Sequence, residues 1–90
     1  MKILLSPQRS DKKINYHFEG EKITVTMNDM SDTFDFTDIP DGVMEEIETI
    51  LSINPIISAK RESGILYVEL LNFIGQDATE EEKFPEWQEV

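Results

Sequence analysis

The chain contains no cysteine, so disulfide frameworks, thiolate zinc sites and thiol nucleophiles are all excluded and stability has to come from packing. It has one histidine, His17, without Ser, Cys or a second His at motif spacing, so neither a catalytic triad nor a histidine zinc site is expected. Its four glycines, Gly20, Gly42, Gly64 and Gly75, are far apart and each falls at a turn or boundary, so there is no phosphate loop or dinucleotide cradle. No window approaches the roughly 18 apolar residues a membrane helix needs, and the run after Met1 is too short for a secretory signal. Neither membrane insertion nor export is expected, and the expected location is cytoplasmic.

Basic residues are also scarce. Eight Lys and Arg stand against nineteen Asp and Glu, a net charge of −11, which argues against binding nucleic acid through its phosphates. The imbalance is uneven: residues 1–28 hold five basic and three acidic residues, and residues 29–90 hold three and sixteen. Asp29, Asp32, Asp35, Asp38 and Asp41 recur at every third position, whereas an EF-hand calcium loop needs alternate positions, a central Gly and a distal Glu. Turn chemistry accounts for them better than a metal does. No catalytic constellation, metal site, cofactor or small-molecule substrate is assigned.

What the chain does have is strand pattern. Ninety residues make one domain with a single modest core. Lys2-Ile3-Leu4-Leu5 reads as a short strand stopped by Ser6-Pro7. Ile14, Tyr16 and Phe18 alternate with polar residues, and a Gly20-Glu21 turn pairs them with Met27, Val25 and Ile23, leaving Glu19 opposite Lys22. A four-residue loop closed by Met27 and Asp32, in the turn-rich stretch 28–32, then sets Val25 against Phe34 and Ile23 against Phe36, which completes a three-stranded meander with one apolar face.

The period next changes to about 3.6. Val43, Met44, Ile47, Ile50 and Leu51 would share a face, predicting a short helix ended by Asn54-Pro55 and lying on the apolar sheet face. Residues 56–73 follow as a β-hairpin about Ser63-Gly64, with Ala59 opposite Val68 and Ile57 opposite Leu70 on the core side. The tail has a capping-box signature, Thr79 with Glu82, predicting a helical turn through about Phe84. Phe84 and Trp87 either fold back on the domain or anchor a partner.

The expected architecture is therefore mainly β (α+β), an antiparallel sheet or small sandwich or roll of about six strands with one short helix. A β-rich domain over residues 1–76 precedes an acidic tail over 77–90 with a helical turn. The expected core is Ile57, Ala59, Leu66, Val68 and Leu70 against Ile14, Tyr16, Phe18, Ile23, Val25, Phe34 and Phe36. Lys60-Arg61 beside Tyr67 forms a small basic and aromatic spot that Glu62 and Glu69 neutralise. The face opposite the core, with Lys60, Tyr67, Glu69, Leu71 and Phe73, is the candidate partner surface together with Phe84 and Trp87 of the tail.

The stretch from Gly64 to Gly75, with Asp77-Ala78-Thr79-Glu80-Glu81-Glu82 and Phe84-Pro85-Glu86-Trp87, resembles small uncharacterised proteins encoded in bacterial prophages, as do Asp32–Phe36 and Pro40-Asp41-Gly42. The resemblance carries no catalytic motif. It implies a cytoplasmic or virion-associated, phage-derived accessory or assembly protein. Two functions follow as expectations: a non-enzymatic interaction or structural module acting on a protein partner or on itself, and, as the alternative, an acidic mimic of nucleic acid that blocks a host DNA-binding protein.

Overall fold

A computed structural model describes residues 1–44 and 47–90. The described residues are mainly β. Eight strands and one short helix follow in order: β1 (Lys2–Arg9), β2 (Ile14–Glu19), β3 (Lys22–Met27), β4 (Met30–Asp35), β5 (Gly42–Val43), β6 (Ile56–Glu62), β7 (Ile65–Ile74), α1 (Glu80–Lys83) and β8 (Gln88–Glu89). They form a five-stranded sheet in the order β5-β6-β7-β1-β8 and a three-stranded sheet in the order β2-β3-β4. Among the described residues no helix is long and apolar enough to cross a membrane.

The meander follows from turn chemistry. Gly20 takes the positive φ of a two-residue turn, and β2 meets β3 as Ile14–Met27, Tyr16–Val25, Phe18–Ile23 and Glu19–Lys22, the register read from the sequence. The next turn is tighter than expected. Asn28 adopts a left-handed φ of 57°, which Asn tolerates, so the connection closes with Met27 opposite Met30, and Ile23 faces Phe34 rather than Phe36. The two-residue slip preserves sidedness, so Phe34 and Phe36 are still buried. It also sets Asp32 opposite Val25 on the core side, where its carboxylate accepts bonds from Thr49 Oγ1 at 2.7 Å and the Ile50 amide at 3.2 Å.

Three further expectations are corrected. β1 does not stop at Ser6-Pro7 but runs to Arg9. Its partner is β7, in parallel, from Lys2–Tyr67 to Arg9–Ile74, so the five-stranded sheet is not wholly antiparallel. Proline is tolerated there because only Lys2 and Ile3 have a neighbour on the other side, β8. The helix predicted over 43–51 is not found. Val43 is strand, the Met44 amide donates to the Ala59 carbonyl at 2.9 Å, and residues 47–53 are irregular; Glu45 and Glu46 of that segment lie outside the described residues. The one short helix is in the tail, where Thr79 and Glu82 form the expected capping box.

Finally, the 56–73 hairpin has its turn at Ser63 and Gly64, both at positive φ, and the expected Ala59–Val68, Lys60–Tyr67 and Ser58–Glu69 pairs. A bulge then intervenes. Ile56, not Ile57, meets Leu70; Ile57 is left 49% exposed while Ile56 is buried.

The core lies between the two sheets. Ile3, Ile56, Ala59, Leu66, Val68 and Leu70 of the larger sheet pack with Ile23, Val25, Met27 and Phe34 of the smaller, with Phe36 and Leu51 from the connections. Among the described residues one ionic link ties the layers. Arg61 Nη1 and Nη2 donate to both oxygens of Glu21 at 3.0 and 2.9 Å, and Nε, Nη1 and Nη2 also donate to the carbonyls of Ile39, Gly64 and Phe36. All five guanidinium N–H groups are thereby used, which is what makes a largely buried Arg tolerable.

Candidate docking face

The inner side of the five-stranded sheet is consumed by the core. Its outer side is organised by register. Val43 lies opposite Lys60, Lys60 opposite Tyr67, Tyr67 opposite Lys2, and Lys2 opposite Glu89, so one row crosses all five strands. Tyr67 is at its centre. The Lys60 and Lys2 ammonium groups stand 5.5 and 5.9 Å from its ring centroid, within cation–π range. Trp87, just before β8, meets the same ring edge-on with centroids 5.6 Å apart.

Apolar groups remain in the open beside this row. Val43 is 72% exposed, Trp87 46% and Phe84 75%, and Ile65 is also exposed beside Glu62 at the hairpin tip. Carboxylates surround them. Glu62 lies 3.5 Å from the Lys60 ammonium, Glu89 ends the row, and an open cleft of about 490 Å³ between α1 and β8 is lined by Phe84, Pro85 and Trp87 with Glu80, Glu81 and Glu86. The arrangement is an aromatic ridge with an acidic rim, and its two lysines stand against Tyr67.

The structure gathers some of the sequence-predicted site residues and separates others. Lys60, Tyr67 and Trp87 come together in the ridge. Glu69 sits two residues further along β7, opposite Ser58, and accepts a hydrogen bond from the Ser6 hydroxyl. Leu71 is buried, its amide donating to the Pro55 carbonyl and its own carbonyl accepting from the Tyr16 hydroxyl, so it offers no docking surface. Phe73 is half-buried against the core cluster. The tail divides: Trp87 packs on the domain, and Phe84 projects away.

Sequence reasoning missed Lys2, Val43 and Glu89 in this row, because each enters it through a strand pairing with no local signature. It also treated Arg61 as surface charge. The signal available for Arg61 was parity: it alternates with Ala59, so it belongs to the core side of β6.

Elsewhere the chemistry is sparse. His17 lies on β2 opposite Thr24 and is exposed. Among the described residues no group of three or more His, Asp or Glu is placed to hold a metal ion. Comparison with protein families, with curated proteins and with solved structures finds no match in any of the three.

Proposed function

We propose that this protein is a non-enzymatic binding module that docks a protein partner on the Tyr67–Trp87 ridge. The observation that carries the reading is the cross-strand row of Val43, Lys60, Tyr67 and Lys2, with Trp87 set edge-on against its central ring and half exposed. Aromatic groups fixed by neighbours and left open to solvent supply contact area at low entropic cost, the property of interface anchors. The acidic rim and the net charge of −11 select a partner with an apolar centre flanked by Lys or Arg, and would speed its encounter at low salt. A cytoplasmic, phage-derived accessory or assembly role is consistent with such a module and with the prophage resemblance.

Trp87 is the only tryptophan, so its emission reports on the site directly. Immobilised protein should capture from bacterial lysate a basic protein that the Tyr67→Ala/Trp87→Ala double variant captures about tenfold less well or worse, with the fold intact by circular dichroism. The purified partner should shift the Trp87 emission of the wild type. Equal capture by both proteins would sink the ridge. The nucleic-acid-mimic alternative draws on the same negative charge but requires no aromatic ridge; it predicts salt-sensitive capture of nucleic-acid enzymes that survives loss of Tyr67 and Trp87.

A further inference from the structure

Both sheets are open, so each presents two edges, and open edges are sites of unwanted pairing unless something blocks them. Three of the four edges are blocked. The larger sheet ends in β5 and β8, each two residues long; beyond them, β6 carries the bulge at Ile57 and β1 carries Pro7, which has no N–H to offer. In the smaller sheet, β4 turns the Asp32 carboxylate toward the core side and ties it to Thr49 and Ile50, so a strand added there would compete with that anchor.

β2 has none of these devices. It is six residues long, without proline, bulge or inward charge, and pairs only with β3; among the described residues no other backbone hydrogen bond reaches it. The two-residue turn after Glu19 makes Glu19–Lys22 a hydrogen-bonded pair, and pairs alternate along an antiparallel ladder. Asn15 and His17 therefore bond toward β3, and the N–H and C=O groups of Ile14, Tyr16 and Phe18 point to the free side.

We infer that β2 pairs with β2 of a second copy of this chain, antiparallel about a two-fold axis at Tyr16. That register sets Tyr16 against Tyr16 and Ile14 against Phe18, matching the free backbone groups of one strand to those of the other in three pairs that exchange two bonds each. On the inner side it places apolar residue against apolar residue, and Ile14, Tyr16 and Phe18 are only half-buried in the single chain. On the outer side it sets Asn15 against His17, and Lys13, just before the strand, against Glu19 of the other copy, an opposite-charge contact made twice. Centring on His17 instead would keep Tyr16 against Phe18 but oppose Ile14 to Gly20 and Glu19 to Asn15, losing the apolar partner of Ile14 and the Lys13–Glu19 contact. The product is one continuous six-stranded sheet. The ridge of the other sheet is not part of it.

Because the chain lacks cysteine, single introduced thiols report the register. Asn15→Cys and His17→Cys chains, mixed and mildly oxidised, should cross-link to each other well beyond the twofold statistical excess over either self-product. Sedimentation of the wild type should show mass rising from 10.4 kDa toward twice that value across a micromolar to near-millimolar series. The Asn15→Lys/His17→Lys variant, which opposes like charges on exposed positions, should stay monomeric over the same range with an unchanged circular dichroism spectrum. Tyr67→Ala/Trp87→Ala should dimerise as the wild type does. A wild type that stays monomeric throughout, cross-linking at the statistical ratio, or preferential self-cross-linking of the His17→Cys chain would overturn the pairing.

Discussion

Arg61 and Glu21 show how a single pair of side chains can hold two layers together. The hydrogen bonds from Arg61, and then its charge, keep the Glu21 carboxyl below the usual carboxylate range. Asp35 is also lowered, by the bonds it accepts from the Thr37 hydroxyl and amide. A carboxyl more acidic in the folded chain than in the unfolded one stabilises the fold above its unfolded pKa, about 4.3 for Glu, and that contribution disappears as pH falls through the folded value. The urea midpoint should therefore drop on acidification below about pH 4.5. Glu21→Gln should lower the midpoint at pH 7 and flatten the acid limb, with the remaining slope reduced by Asp35→Asn. Profiles of wild type and Glu21→Gln that stay parallel would mean the bidentate pair contributes nothing to folding. Tyr16 acts at the opposite end. Burial raises its phenol pKa, so its contribution is complete below about pH 10 and is lost as the pH rises further.

At the scale of elements, adjacent isoleucines test the bulge in β6. Ile56 is buried opposite Leu70 and belongs to the core cluster, whereas Ile57 is the extra residue and is half exposed. Ile56→Ala should cost about 2–4 kcal/mol in denaturant unfolding and Ile57→Ala less than about 1 kcal/mol. Equal costs would mean that the regular register, with Ile57 against Leu70, is the true one. Strict alternation in the sequence favours that regular register, since a bulge leaves the composition of a strand unchanged. The hairpin turns were legible because Gly20 and Ser63-Gly64 supply the backbone conformations that two-residue turns demand. The helix expected after Gly42 is absent among the described residues for a physical reason. Its apolar residues do recur near 3.6, but nine residues make a marginal helix, and three of its positions are isoleucine or threonine in addition to Val43. Tertiary bonds prevail instead: Val43 pairs with Lys60, Asp32 captures Thr49 and Ile50, and the Asn54 side chain donates to the Ile47 carbonyl. Leu51 still reaches the core, so the segment buries apolar surface as its sequence requires without being helical.

Across the whole molecule, the least legible feature is the parallel pairing of β1 with β7, strands some sixty residues apart whose register is set by Ile3 meeting Val68 in a core that local pattern cannot specify. That pairing decides the candidate site, since it brings Lys2 to Tyr67 and provides the edge on which β8 delivers Trp87. Tyr67 and its partner Lys60 were legible as outward from the hairpin alone; Lys2, Val43 and Glu89 were not. The same compact arrangement concentrates charge. Nineteen acidic groups against eight basic ones repel one another more when folded than when the chain is extended. Screening acts on these exposed charges over about 8–10 Å at moderate salt and much less on the close, largely buried contact between Arg61 and Glu21. Salt should therefore remove more repulsion than attraction. The thermal midpoint at pH 7 should rise when sodium chloride increases from near zero to about 0.5 M, a range over which the Debye length falls to a few ångströms. In Glu21→Gln the rise should persist, because the repulsion resides in the other carboxylates. A midpoint that falls with salt would instead show that the attractive contacts, Lys60 with Glu62 and Arg61 with Glu21, outweigh the net charge of −11.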